Sequence, residues 1–549
     1  MPSTPTTKSQ VQAYRFVLRR MESALVRKDP VMLHDPMRSH TRATVVGAIV
    51  GVVGLVGFLV FGVLKPAPTV PNSGIVIGQP SGSIYVVDQN PHQLIPVWNL
   101  ASARLLLAAG QQQQQSQGGA SGQSQQSAPQ LANPTTVDDS QLKNMPMGRL
   151  TGIPDGPTML PGPDQQATTW AVCDQIPRDP NAPQETGHKL PTTMVLVGQS
   201  NIGANLPAGQ ALLVSDDNGA TLYLVYAQSG SNDSAVRAQL DQGDQAVLAT
   251  FGITNSNSYR VVSQAVLDAI PPAPEIQNPT HDMNLQATPD PRLAGENLAM
   301  GESFAVEQVN APTRYYIVVP GGMQQVSQTT AQIAVDENSN GRTNIPNVQP
   351  SALNGVHTVQ YGDPQGLQVN VTQYPGVQPS VVSADTRPVM CLGWNANFTD
   401  PQKPVAKTRV TIGFTMRLPT DPTNGQPMTP ITIGQGTSSG QINQFFMNPA
   451  LGGVAIHGAT NASEFGSGPI YVIDPRGVKF SVPDQFTAEV LGVADSSGYL
   501  PPAPNQIVSL LPGGGQQLDT QTVQKTFDGM SLNNVGQFLE PTTQNAGGN

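Results

Sequence analysis

Between Ala43 and Leu64 the chain reads ATVVGAIVGVVGLVGFLVFGVL, 22 residues without a charge. As a helix rising about 1.5 Å per residue it would be ~33 Å long, enough to cross a hydrocarbon core of about 30 Å. A cleaved leader would have a shorter apolar region and a short basic start, so the stretch reads as a permanent anchor. It also divides the charge. Residues 1–42 carry eight basic side chains against three acidic ones, and residues 65–549 carry 19 basic against 34 acidic. Basic residues ahead of the span put the N-terminus in the cytoplasm and the bulk of the chain outside. The acidic bulk gives no footprint for nucleic acid. Within the span Gly47 and Gly51 form a GxxxG, and Gly54 continues the small face one turn on, a pattern suited to close helix packing in the membrane.

The cytoplasmic segment predicts an amphipathic helix. Val11, Tyr14, Leu18, Met21 and Leu25 recur at spacings of three and four, and Arg19, Arg20, Arg27 and Lys28 lie off that seam. Such a helix can rest on an anionic membrane surface or dock into a groove of a partner protein. Asp29-Pro30 is expected to end it.

The exterior is loop-rich. Charged residues make up 12% of the chain, and there are 54 glycines and 51 prolines, which argues against a helical enzyme because both residues interrupt element interiors. Its two cysteines, Cys173 and Cys391, both follow the span, and an even pair in an oxidising compartment reads as one disulfide. Two thiols with no histidine close by make a poor metal set.

Four stretches share a strand-like run with a tyrosine, a polar turn, and an Ala-containing amphipathic segment, with Leu as well in the first, second and fourth. They begin at Ser83, Thr221, Arg314 and Pro469, and their tyrosines are Tyr85, Tyr223, Tyr316 and Tyr471. The sequence Pro-Pro-Ala-Pro follows the second at 271–274 and the fourth at 501–504, which we read as a second echo. Their unequal spacing fits separate small βα modules rather than a solenoid. VAKTRVTIGFTMRL from Val405 and MTPITIGQG from Met428 alternate like half-buried strands of a central β domain. The expected organisation is a cytoplasmic segment at 1–42, the span at 43–64, repeats at 65–110, 195–285, 286–345 and 466–512, central-domain parts at 136–194 and 346–465, a disordered Gln-rich insertion at 111–135, and a tail at 513–549. The fold class is a single-pass membrane protein with a β-rich α+β exterior.

Chemistry is sparse. None of the nine lysines follows a glycine, so no GxxxxGK[ST] phosphate loop exists. The GxSxG at 436–440 lacks a helix directly behind its serine and reads as a flexible loop. His92, His188, His281, His357 and His457 are spread out and form no ligand pair on a helix. Asp88 and Asp474 sit two residues past the Tyr-Val of the first and fourth repeats, where a turn role is expected. No catalytic residue, cofactor or metal is expected.

Taken together, QVQAYRFVLRRMESALVRKDPVMLHDPMRSH, the span, IYVVDQNPHQLIPVWNLASARLLL, VDDSQLKNMPMGRLTGIPDGPTMLP, WAVCD and MCLGW resemble the EccB family of mycobacterial type VII (ESX) secretion systems over roughly residues 8–512. The Gln-rich insertion and the tail depart from the family pattern. The resemblance implies an inner-membrane subunit of a complex with EccC, EccD and EccE, a mycosin protease (MycP) on the periplasmic side, and periplasmic modules that self-associate. It favours partner docking for the N-terminal helix. It also implies a structural role in protein export. An ATP-hydrolysing enzyme, a label some family members carry, and a cell-wall-binding module are the alternatives.

Overall fold

A computed structural model describes residues 7–28, 36–64, 69–89, 91–117, 133–228, 234–253, 259–338, 342–397, 405–433, 442–494 and 499–526. It divides into one compact unit at 1–69 and another from Val70 onward.

Among the described residues the first unit holds two helices. Helix α1 is Lys8–Arg27, opened by a capping box in which Thr7 and Gln10 satisfy each other's backbone N–H groups. It stops at Lys28, whose φ of 55° makes a left-handed cap ahead of Asp29-Pro30. Helix α2 is Pro36–Leu64, and Arg42–Gly62 within it is long and apolar enough to cross a membrane.

Among the described residues the second unit contains five sheets. Along the chain come β1 (Gly74–Gln79), β2 (Ile84–Gln89), β3 (His92–Val97), α3 (Leu100–Gln117), β4 (Thr135–Asp138) and α4 (Asp139–Leu142), then β5 (Thr169–Gln175), β6 (Thr192–Val197) and β7 (Ala204–Asn205). Next are β8 (Gln210–Ser215), β9 (Tyr223–Ala227), β10 (Ala235–Leu240), α5 (Gln245–Thr250), β11 (Arg260–Val261), α6 (Gln264–Ala269), β12 (Pro272–Ile276) and α7 (Pro291–Gly295). Then follow β13 (Ser303–Val306), β14 (Arg314–Val319), β15 (Gly322–Val326), α8 (Gln328–Glu337), β16 (Thr358–Val359), β17 (Ser380–Val381), β18 (Val389–Asn397), β19 (Val405–Gly413), β20 (Ile431–Thr432) and β21 (Gln444–Met447). The chain closes with β22 (Val454–Ala459), β23 (Ile470–Ile473), β24 (Lys479–Val482), α9 (Gln485–Leu491), β25 (Pro502–Pro504), α10 (Asn505–Val508) and α11 (Thr520–Lys525).

Four small sheets follow one connection rule. Each begins with an antiparallel three-strand meander: β1-β2-β3, β8-β9-β10, β13-β14-β15 and β22-β23-β24. A helix follows, respectively α3, α5, α8 and α9. The chain then returns parallel to the first strand, through β4, β11, Asn347 and β25. After a short helix or 3-10 turn it runs parallel to the third strand, through Met147–Thr151, β12, β16 and Gly513. Two-residue strands and single bridges suffice at these edges because the meander already carries the core. The four tyrosines Tyr85, Tyr223, Tyr316 and Tyr471 all lie on the middle strand of a meander.

This pattern corrects several expectations. The element is not βα, because a strand without tyrosine precedes the tyrosine strand and another follows the turn before the helix. The first strand of the fourth sheet therefore begins at Val454, ahead of 466, while β6 and β7 near the 195 boundary belong to the central sheet. The Pro-Pro-Ala-Pro echo is not a structural equivalence, since β12 lies beside a third strand and β25 beside a first strand. Gln111–Gln117, expected to be disordered, continues α3, and 118–132 lie outside the described residues. Of the tail, Gly513 pairs with Lys479, α11 packs on α3, and Thr526 O accepts from Gly152 N at 3.0 Å.

Helices join the small sheets in pairs. Helix α3 of the first packs with α9 of the fourth, and the Arg104 guanidinium donates to Leu491 O across that contact. Helix α5 of the second packs with α8 of the third, where Thr250 Oγ1 donates to Asp336 Oδ2 at 2.6 Å. Separate apolar cores fill these two joints, one including Leu105, Phe480, Leu491 and Val523, the other Leu224, Val247, Ile317 and Ile333. The short helices α6 and α10, which follow equivalent strands in the second and fourth sheets, meet each other. They lie in the core over one face of the central sheet.

Candidate functional site

The central sheet runs β20-β21-β6-β5-β18-β19-β7. Cys173 on β5 and Cys391 on β18 are directly opposed, and they form a disulfide with Cα atoms 4.0 Å apart. Three positions along the same ladder, Trp170 faces Trp394. Because side chains alternate between faces, the sulfurs lie with Met194, Leu196 and Phe446 on one side. The indoles lie with Val172, Leu392 and Phe445 on the other. Both faces are thus apolar, and two stretches separated by 218 residues meet as neighbours. Strand β20, by contrast, is an exposed edge and not the half-buried strand its alternation suggested.

The residues expected to dock a partner share one face of α1. At 100° per residue Val11, Tyr14, Leu18, Met21 and Leu25 occupy an arc of about 80°, and each is between 43% and 81% exposed. Val17, 51% exposed, widens that face beside Met21; a strict three-four reading of the sequence passes over it. In α2, an added Cβ at Gly47, Gly51 or Gly54 would meet no atom within 4 Å, and the same holds at Gly57. This helix therefore presents an open small-residue face on which another helix backbone could approach closely.

The polar features are separate. Asp474, buried in the β23–β24 turn, accepts from the backbone N–H groups of Arg476 (3.0 Å) and Val478 (3.2 Å), and Arg476 pairs with it. A groove of about 640 Å³ at the end of the fourth sheet is lined by His457, Tyr471, Ser481, Gln485 and Gln517. His457 Nδ1 lies 2.8 Å from Gly468 O. A larger groove of about 1120 Å³ holds His188, stacked on Tyr259, with Glu185, Lys189 and Asp385. Lys189 is engaged by Asp179 at 3.0 Å. Among the described residues no three of His, Cys, Asp and Glu gather as a metal set. The GxSxG at 436–440 lies outside the described residues, and Asp88, expected in a turn, instead lies within β2 opposite Gln93 of β3.

Comparison with known proteins gives one consistent result. A family model described as "Type VII secretion system ESX-1, transport TM domain B" matches residues 3–532. A protein of Mycolicibacterium smegmatis (strain MKD8) named "ESX-1 secretion system ATPase EccB1" is 29% identical over 512 residues, covering 93% of each chain. "ESX-5 secretion system ATPase EccB5" of Mycobacterium marinum is 26% identical over 514 residues, covering 93% of this chain and 91% of its own. The fold matches a chain of an intact ESX-5 inner membrane complex with a TM-score of 0.62 at 24% identity, covering 96% of this chain and 97% of that one. It also matches the EccB3 dimer from the ESX-3 core complex with a TM-score of 0.57 at 21% identity, covering 82% and 99%.

Proposed function

Since the chain belongs to the EccB family of type VII secretion membrane components, we propose that it is a structural subunit that organises the inner-membrane secretion complex. In this reading α2 anchors it and α1 stays in the cytoplasm. The bulk of the chain stands in the periplasm, where the four small sheets, copies of one module, associate with other copies of the chain around the export path. EccC, EccD, EccE and a mycosin protease are the partners that family membership suggests.

The observation that carries the proposal is the unfilled helix face on α1 joined to an unfilled glycine face on α2. Each is a surface that a lone protein would leave without packing. Support for the module reading comes from the shared strand order of the four sheets and the common place of their tyrosines. The charge split across the span supports the orientation, with the basic segment inside.

ATPase is a word in the relatives' names, and the proposal contains no hydrolytic step. A triphosphate needs concentrated cationic or backbone N–H donors. The smaller groove has no Lys or Arg in its lining, and Lys189 in the larger one already pairs with Asp179.

A double variant, Leu18→Asp with Met21→Asp, tests the docking face. It should remain in the membrane and keep its exterior fold while losing cytoplasmic partners on affinity purification from detergent. Undiminished recovery of those partners would remove α1 as the docking element.

A further inference from the structure

The second small sheet is fastened to the central sheet by a buried carboxyl group. Asp174, on β5 beside Cys173, is 1% exposed. Its Oδ1 accepts from Thr193 Oγ1 on β6 at 2.7 Å and from Ser263 Oγ at 2.9 Å, and its Oδ2 accepts from Ser263 N at 2.6 Å. Ser263 is the N-cap of α6, with its own Oγ accepting from Val266 N at 3.2 Å. One carboxyl group therefore ties β5 and β6 to the start of the helix that meets α10.

Arg260, three residues earlier on β11, is 2% exposed. Its Nη1 donates to Arg387 O at 2.9 Å and its Nη2 to Val382 O at 3.2 Å. Those carbonyls belong to the segment that leads into β18, so the guanidinium braces the same joint through backbone oxygens.

Most other charged groups around the joint are engaged elsewhere; the exceptions are Glu185 and His188, whose Nε2 is buried without a hydrogen-bond partner while its ring stacks on Tyr259. On the segment before β18, Asp385 pairs with Arg178 at 3.3 Å, and the Arg387 guanidinium donates to Thr386 O at 3.1 Å. Beside β11, the 3-10 turn Pro183–His188 carries Glu185 and His188, followed by Lys189, which pairs with Asp179. At the far end of α6, Asp268 pairs with Arg237 at 3.5 Å. Strands β6 and β18 and helix α10 contribute no ionisable side chain apart from the disulfide cysteine.

We infer that Asp174 is a proton-operated clasp between the second small sheet and the central sheet, closed more firmly when its carboxyl is protonated than when it is ionised. Protonation removes the cost of holding a charge away from water. The hydroxyls of Thr193 and Ser263 can rotate, so they can bond either form. The direction follows from the environment. Burial raises the Asp174 pKa from 3.8 to about 6, outweighing the hydrogen bonds from Ser263 and Thr193 and the field of Arg260, which all lower it. An opened joint would return the carboxyl to its ordinary value. The closed form therefore holds the proton between pH 3.8 and about 6, and the closed joint weakens as pH rises through that window.

Hydrogen exchange on the full-length chain in detergent tests this, with protection of the α6 and β11 amides corrected for intrinsic exchange. Between about pH 5 and about pH 7.5 the corrected protection should fall about ten-fold in the wild-type chain, and it should stay level in Asp174→Asn. If Asp174→Asn fails to fold, Thr193→Val supplies the second test. Losing a donor that favours the charged form should move the midpoint to higher pH. Equal protection at both pH values in the wild-type chain overturns the clasp. So does the same fall in Asp174→Asn, or an unmoved midpoint in Thr193→Val.

Discussion

Removing the disulfide is the perturbation whose size follows most directly from the architecture. Cys173 and Cys391 close a loop of 218 residues that contains the second and third small sheets. Freeing that loop in the unfolded chain should cost the folded state about 5 kcal/mol in the chain-entropy treatment. In the folded state the sulfurs join strands that already share a continuous ladder from Val389 to Asn395, so the Cys173→Ala/Cys391→Ala chain should still assemble its central sheet. The assay is urea unfolding of the detergent-solubilised chain followed by tryptophan fluorescence. Trp170 is 1% and Trp394 8% exposed beside the bond, while Trp98 is 46% exposed, so a Trp98→Phe background leaves two reporters in the central sheet. With a slope of about 3 kcal/mol per molar urea, the fluorescence midpoint should fall by about 1.5–2 M. A midpoint within about 0.3 M of the parent chain would show that the bond contributes far less than this. It would mean that the joints between small sheets, not the bond, hold the two halves of the central sheet together.

Other outcomes follow from the same structure. Gly468→Ala would place a Cβ 1.7 Å from Gly458 O. It should cost more than about 3 kcal/mol and release the fourth sheet first, seen as early proteolysis within 454–512. Gly78→Ala and Gly458→Ala put a Cβ 2.2 Å from Asp139 Oδ1 and Asn505 Oδ1 respectively. Both should destabilise by about 1–3 kcal/mol in thermal melts, and Asp139→Ala or Asn505→Ala in the same chain should restore much of the loss. Matching behaviour at these two sites is expected if the first and fourth sheets are copies of one module. Gly51→Ile should leave the helix and the exterior intact but reduce co-purification with other membrane subunits. ATP turnover by the purified chain should not rise above background. A rate abolished by one substitution that leaves assembly intact would contradict a purely structural role.

The sequence made some of this legible because the signals were local. An uncharged run of 22 residues, a three-four apolar seam and a lone pair of cysteines each state their meaning within a short window or by count. The middle strand of each meander was visible through its tyrosine. The first strands were not, because GIVIGQ, QALLVS, SFAV and VAIHGA share no residue mark. The parallel returns were invisible too, since bridges such as Ala305 to Asn347 or Lys479 to Gly513 carry no periodicity at all. Pro-Pro-Ala-Pro misled for the complementary reason: the same four residues suit either edge of such a sheet, where a missing N–H is tolerated. The three-four seam of α1 was legible in the sequence as one helix face, beside which the structure also places the exposed Val17. The Asp174 and Arg260 joint was not, because its partners come from β5, β6, β11 and the segment before β18, which are distant in the chain.

We propose that this chain works as an assembled subunit and not alone. The most direct test is the native mass of the endogenous, affinity-tagged chain extracted from its own membranes in mild detergent, with the co-purifying proteins identified. The expected result is a particle far heavier than the 57.8 kDa chain, containing several copies of it together with other type VII membrane components, and loss of that particle when α1 is deleted. Recovery as a monomer free of those components, from cells in which secretion is active, would contradict it.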